Sequence, residues 1–232
     1  MGYKFILLDI DDTVLDFKKA ERAAFEKTHI DNGVAFSDKD YELYSKINAD
    51  LWKALERGEI SSSEVIINTR YSIYCKERGI AELGESFRVE YESNLSENAY
   101  VFDEEVFETL SLLKKHCKIY SITNGTYHVQ SKRIKKSGVE VFLDGQFISE
   151  KVGYRKPDKR FFEYVESNIP NFDKAKALVV GDSLTADMPA KKYGYDTCLI
   201  NRKNIEELLF EYSPTYIIKS FSDLKKFVNI EG

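Results

Sequence analysis

Short apolar runs recur along this chain with little polar alternation, and three of them stop abruptly at a polar residue. Phe5-Ile6-Leu7-Leu8 stops at Asp9, in the segment Asp9-Ile10-Asp11-Asp12-Thr13. Ile119-Tyr120-Ser121-Ile122 stops at Thr123-Asn124-Gly125, and Ala177-Leu178-Val179-Val180-Gly181 stops at Asp182-Ser183. Such runs suit strands buried on both faces. Asp196 to Ile200 and Tyr216 to Ile218 read as two further strands. Helical periodicity appears between them, over Val129 to Ser137 and Lys159 to Asn168. Gly138 stands where the first helix should stop, and Pro157 stands just before the second, where a proline is tolerated. The alternation of strands and helices predicts an α/β fold, a Rossmann-like doubly wound parallel sheet.

Residues 16–100 have a different pattern, with no convincing strand of a parallel sheet. Amphipathic helices are predicted over Ala20 to His29, Lys39 to Glu56, Ser63 to Arg78 and Ser86 to Asn94, punctuated by Gly33, Gly58, Gly79 and Gly84. The predicted organisation is therefore an α/β core of residues 1–15 and 101–232, with residues 16–100 inserted as a helical cap domain. An insert placed directly after the first strand end is expected to lie over the carboxyl edge of the sheet and act as a lid. There is no internal repeat and no low-complexity segment.

In open parallel sheets, ligands bind beyond the carboxyl ends of the strands. Acidic and hydroxyl groups at three such ends therefore point to one site, suited to a divalent cation holding a phosphate. Asp-x-Asp alone is a weak signal, and Asp12 or Thr13 has the simpler reading of a helix cap. At a strand end, however, Asp9 can attack phosphorus while Asp11 gives a proton to the leaving oxygen and later takes one from water. Asp9 and Asp182 arrive from two strand ends as hard oxygen ligands for Mg²⁺, and Asp187 follows one helical turn later. Asp187 has three readings: direct ligand, charge at a helix terminus, or carboxylate standing behind the metal and holding its water. The last is favoured. Thr123 supplies a hydroxyl for phosphate, backed by Asn124 and Gly125. Lys156, fixed by Pro157, supplies the cation, with Arg155 as competitor for that role or as a substrate contact.

The remaining chemistry-bearing residues have plainer readings. His29, His116 and His128 are scattered and suggest no zinc site. Lys132, Arg133, Lys135 and Lys136 read as a solvated helix face.

The chain has 232 residues, 43% of them apolar and 31% charged, which is globular. A formal net charge of −5 gives no electrostatic reason to expect a nucleic-acid polymer as partner. Cys75, Cys117 and Cys198 have no CxxC spacing and read as reduced thiols, Cys117 and Cys198 packed in the core. The first strand leaves no room for a signal peptide, and no apolar stretch approaches the roughly 18 residues of a membrane span. A cytoplasmic location is expected, without membrane contact.

Four segments taken in order resemble the motifs of the haloacid dehalogenase (HAD) superfamily of phosphohydrolases. These are Asp9-Ile-Asp11-Asp-Thr13, Thr123-Asn-Gly125, Lys156-Pro157 and Gly181-Asp182-Ser-Leu-Thr-Ala-Asp187. The helical insert resembles that family's cap, so the likeness spans essentially the whole chain. The resemblance implies an aspartyl-phosphate mechanism with Asp9 as nucleophile and Asp11 as acid/base, and with Thr123, Asn124 and Lys156 binding phosphate. It also implies Mg²⁺ held by the Asp9 carboxylate, the Asp11 backbone carbonyl and Asp182. Dehalogenase members lack the second carboxylate, so Asp11 favours phosphate substrates over haloacids.

Leu51-Trp52, Gly58-Glu59-Ile60, Ile148 to Gly153 and Gly194 to Asn201 are similar to segments of the YjjG/YfnB-type pyrimidine 5′-nucleotidase group. The implied substrate is a small phosphorylated metabolite, a nucleoside monophosphate first, for a monomer or weak homodimer. A sugar phosphate, phosphoglycolate or a phosphomutase reaction is the alternative. A non-catalytic binding or regulatory protein on the same scaffold is the reading from a different class. Trp52, Arg70 and Tyr71 are candidate base-facing residues, against a plainer reading as packing and surface groups. Met188-Pro189-Ala190 departs from the usual glycine pair, with Pro189 expected to begin a helix.

Overall fold

A computed structural model describes residues 2–56, 59–60, 63–202 and 213–227. Gly58 and the side chain of Trp52 lie outside what is described. The chain divides into two compact units, Met1–Phe17 with Ala99–Gly232, and Lys18–Asn98.

The first unit is built on a six-stranded sheet. Its strands are β1 (Phe5–Leu8), β2 (Lys118–Thr123), β3 (Gly145–Ile148), β4 (Ala177–Gly181), β5 (Asp196–Ile200) and β6 (Tyr216–Ile218). Their order is β3-β2-β1-β4-β5-β6, with every described pairing parallel. Five strands coincide with the apolar runs. β3 does not stand out as one, because Gly145 and Gln146 dilute a strand with only two buried positions. Phe5 and Leu7 pack on one face against Phe161, Phe162 and Val165, while Ile6 and Leu8 pack on the other against Val106, Leu110 and Leu113. Both faces are thus dry, which explains why the strands do not alternate. All three thiols are free and buried.

Helices α1 (Phe17–Asp31), α2 (Asp38–Glu56), α3 (Ser63–Arg78) and α4 (Gly84–Glu97) make up the second unit, the inserted helical cap. Its interior is aromatic. The Phe25 ring meets those of Tyr44 at 4.5 Å, Tyr74 at 5.0 Å and Phe87 at 5.6 Å. His29 is buried among them, with Nδ1 2.8 Å from the Phe25 carbonyl and Nε2 2.6 Å from the Tyr74 hydroxyl. A carbonyl can only accept, so Nδ1 carries a proton, while the Tyr74 hydroxyl beside Nε2 also lies 3.3 Å from Asp40 Oδ1. Tyr71 is buried too, stacked on Tyr44 at 5.5 Å and tilted against Tyr91 at 4.8 Å, which makes it a core residue rather than a base-facing one. Arg70 lies beside these rings, its guanidinium 4.8 Å from the Tyr71 centroid.

The sheet unit also contains α5 (Glu105–His116), α6 (Tyr127–Lys136), α7 (Ser149–Val152) and α8 (Lys159–Asn168). Asp158 caps α8 by accepting from the Arg160 N–H at 2.9 Å. Pro189 starts a 3₁₀ turn, Met188–Tyr193, rather than a full α-helix.

Candidate active site

Parallel pairing puts the ends of β1, β2 and β4 at one edge of the sheet, and β1 lies between the other two. Asp9 follows β1 without leaving the sheet, its N–H donating to the Val180 carbonyl at 2.9 Å. The chain then turns tightly. Val14 and Leu15 N–H both donate to the Ile10 carbonyl at 2.9 Å, and Asp12 takes a left-handed conformation with φ 56°. Short polar Asp tolerates that region better than most residues. Arg202, at the end of β5, donates to the carbonyls of Asp12 and Thr13 at 2.6 and 2.8 Å, with its guanidinium 3.9 Å from the Phe102 centroid.

The carboxylate of Asp9 is buried and receives two hydrogen bonds, from the Thr13 hydroxyl at 2.9 Å and from Lys156 Nζ at 2.7 Å. Lys156 also donates to Asp187 at 2.6 Å and is itself buried. Its backbone is held by Asn124, whose side-chain oxygen accepts from Lys156 N–H at 2.9 Å while its amide donates to the Lys156 carbonyl at 3.0 Å. Both ends of the Asn124 side chain therefore contact Lys156. The Lys156–Pro157 peptide is cis. The second oxygen of Asp187 accepts from Ser183 N–H at 3.1 Å. It occupies the space that a β-carbon on Gly181 would need, so the glycine that ends β4 makes room for this carboxylate.

Carboxylate oxygens of Asp9, Asp182 and Asp187 come within 4.8 Å of one another. Asp182 is half-buried, whereas the other two are buried. Burial pushes the Asp9 carboxyl well above the usual range. The Lys156 ammonium opposes this, and the charges of Asp187 and Asp182 add to it. Burial likewise works against the charge on Lys156, but Asp187 and Asp9 more than offset it and raise its pKa. The Lys156 ammonium thus serves Asp9 and Asp187 together, while Asp182, half-buried, has Arg202 in its electrostatic surroundings. An all-oxygen donor set of three clustered carboxylates fits a hard divalent cation such as Mg²⁺.

Asp11 stands apart from this cluster and has its own partners. One oxygen pairs with Arg133, and the other accepts from Gln130 Nε2 at 2.8 Å. The same Gln130 nitrogen donates to the Thr123 hydroxyl at 2.7 Å. Sequence reasoning assigned neither residue here, and the reading of Arg133 as part of a solvated face is corrected. Lys135 and Lys136 are exposed, but Arg133 is completely buried. A signal was present: Gln130 and Arg133 share a helical face with buried Ile134 at i, i+3 and i+4 spacing. His116 and His128 are exposed, in keeping with ordinary surface roles.

This geometry has relatives. YfnB of Bacillus subtilis (strain 168), named as a HAD-hydrolase, is 36% identical over 99% of this chain and 97% of its own. Its solved structure, bound to magnesium and described as revealing interdomain movement, superposes with a TM-score of 0.91 at 35% identity, covering 99% of this chain and 100% of that one. The pyrimidine 5′-nucleotidase PynA of Streptococcus pneumoniae (strain ATCC BAA-255 / R6) is 34% identical over 97% of this chain and 94% of its own. The pyrimidine 5′-nucleotidase YjjG of Escherichia coli (strain K12) is 26% identical over 97% and 98%. Residues 3–193 match the haloacid dehalogenase-like hydrolase model, a span that takes in all four strand-end segments. The doubly covered sheet, its helical insert and these matches agree: the chain belongs to the haloacid dehalogenase-like hydrolase family.

Proposed function

We propose that this hydrolase is a Mg²⁺-dependent phosphomonoesterase working through an aspartyl-phosphate, with pyrimidine nucleoside 5′-monophosphates as its preferred substrates. The observation that carries the chemistry is the pairing of Asp9 with a buried Lys156, beside Asp182 and Asp187 and two residues before Asp11. The substrate class rests on the relatives named as pyrimidine 5′-nucleotidases.

An Asp9 oxygen attacks phosphorus, the bond to the ester oxygen breaks, and the leaving alkoxide takes a proton from Asp11. Water then attacks the same phosphorus, Asp11 takes its proton, and the bond to Asp9 breaks to release phosphate. Asp9 needs its charge for this. Lys156 supplies part of the stabilisation, and the Thr13 hydroxyl fixes the other oxygen. Lys156 and the Thr123 hydroxyl neutralise and orient the phosphoryl oxygens, whose charge dominates such transfers. Asn124 serves phosphate binding by fixing the Lys156 backbone, with one side-chain N–H still to offer. Mg²⁺, held by the carboxylates of Asp9 and Asp182 and the Asp11 carbonyl, would supply charge neutralisation between nucleophile and phosphate. Asp187 stands behind them, holding Lys156 in place.

The test is hydrolysis of a panel with and without Mg²⁺: dUMP, dTMP, UMP, purine nucleotides, sugar phosphates and phosphoglycolate. Mg²⁺-dependent turnover with the pyrimidine nucleotides fastest is expected. A sugar phosphate hydrolysed well while the nucleotides are poor would sink the substrate assignment. Near-normal turnover by Asp9→Asn would sink the mechanism.

A further inference from the structure

We propose that Gln130, oriented by Arg133, is a positioning residue that ties the acid/base carboxylate of Asp11 to the phosphate-binding hydroxyl of Thr123. The inference rests on the roles proposed above for Asp11 and Thr123 and adds what holds them in relation to each other.

Three hydrogen bonds fix the direction of the Gln130 amide. Its oxygen accepts from Arg133 Nη1 at 2.9 Å, an acceptor role that only the oxygen can fill. Its nitrogen must then face the other way, where it donates to Asp11 Oδ2 at 2.8 Å and to Thr123 Oγ1 at 2.7 Å. The same nitrogen also lies 3.4 Å from the Asn124 carbonyl, so both hydrogens of the amide are used and a rotation would break all of these bonds together. Gln130 is 2% exposed and Arg133 fully buried, which excludes water as a substitute donor at low cost.

The arrangement acts on each end differently. At Asp11, one donor on each oxygen sets the plane of the carboxylate and leaves a lone-pair site on each for the proton in transit. At Thr123, receiving a hydrogen bond turns the hydroxyl's own hydrogen away from Gln130; the hydroxyl lies 3.5 Å from the Asn124 carbonyl, a long bond that a bound phosphate would replace. The backbone is adapted to this bridge as well. Gly125 has φ 150°, and a β-carbon there would come within 2.8 Å of Gln130 Cγ.

Three residues separated along the chain are thereby joined: Asp11 after β1, Thr123 at the end of β2, and Gln130 in the first turns of α6. A salt bridge alone would hold Asp11 through Arg133. The amide adds the link between the two substrate-facing groups, and that link is what the experiment addresses.

Gln130→Met keeps the side-chain length and removes the donors. Its kcat/KM is compared on two substrates that differ in leaving group, dTMP and p-nitrophenyl phosphate. The first needs its departing oxygen protonated, whereas nitrophenolate leaves unaided. General acid catalysis contributes about 10²–10⁴-fold, and loss of positioning should remove part of that. We expect kcat/KM on dTMP to fall by about tenfold or more beyond any fall on p-nitrophenyl phosphate. In an Asp11→Asn background the substitution should leave the ratio between the two substrates unchanged, because the group it positions is gone.

An equal fall on both substrates, or none, would overturn the proposal, as would an undiminished ratio effect in the Asp11→Asn background. Arg133→Lys, which keeps the charge but loses the planar fork, is read in the same way and stands in should Gln130→Met fold poorly. Wild-type enzyme run in parallel separates the two inferences: if it shows no Mg²⁺-dependent hydrolysis of either ester, the phosphatase reading fails rather than this one.

Discussion

The two units bury polar groups in opposite ways. In the sheet unit four charged side chains are buried toward one edge, among several buried hydroxyl and amide groups: Asp9, Lys156, Asp187 and Arg133 are each nearly or wholly inaccessible. In the helical unit the interior is mostly rings, with the Tyr44 and Tyr71 hydroxyls 3.2 Å apart, the His29 imidazole against Tyr74, and one buried carboxylate, Asp40, paired with Arg78. Burying a charge is costly unless it is paired, whereas burying an aromatic ring is favourable in itself. The first interior is therefore explained by chemistry and the second by packing, and substitutions should separate them.

The largest effect is expected from Asp9→Asn, which removes the proposed nucleophile with little change of shape. Turnover should fall by at least about 10³-fold, with the denaturation midpoint of the metal-free protein preserved or raised, because a desolvated carboxyl is gone. Loss of folding in that variant would show that the charged edge is needed for structure.

Lys156→Met comes next. It leaves Asp9 and Asp187 without their shared ammonium, and breaking a buried pair in this way costs about 3–5 kcal/mol. Urea denaturation measures it. An unchanged midpoint would mean that these carboxylates do not carry their charges in the metal-free protein.

Gly181→Ala places a methyl group where the Asp187 carboxylate lies. Overpacking of this kind costs about 1–3 kcal/mol, and displacing Asp187 from Lys156 should lower kcat as well. Wild-type kcat and stability would show that Asp187 can move aside without consequence.

The smallest effect belongs to the helical unit and concerns pH. Burial lowers the pKa of His29, so the unfolded chain takes up a proton there more readily than the folded one. Stability should consequently fall as pH drops through the unfolded value, near 6.5, toward the lowered folded value, and then level off. His29→Gln should flatten this part of the pH–stability curve. A slope that survives the substitution would assign it to other groups.

The same contrast explains what could be read from the sequence. Asp9, Thr123 and Asp182 were legible because each ends an apolar run, and a parallel sheet brings such ends to one edge. The helices of the insert were legible from their periodicity, most closely Ser63–Arg78. β3 was not, because an edge strand with two half-exposed positions carries little apolar signal. Arg133 was hidden for another reason. Its neighbours Lys132, Lys135 and Lys136 make the local composition look solvated, while helical geometry turns Arg133 alone inward with Ile134. Arg202 gave no local sign either, since its partners are backbone carbonyls 190 and 189 positions away in sequence.

The place where the insert leaves and rejoins the sheet unit carries one more consequence. Leu15 and Val101 form an antiparallel bridge, and Asp16 N–H donates to the Tyr100 carbonyl at 2.8 Å. The outgoing and returning chains are thus stitched together before the insert begins, at the spacing of neighbouring strands, about 5 Å. Any polypeptide whose two ends meet at that distance satisfies the junction, whatever its length or contents. Such a seam lets an insert be exchanged, lengthened or redesigned as a module while the phosphoryl-handling edge is inherited intact. One scaffold can in this way acquire many substrates without relearning its reaction.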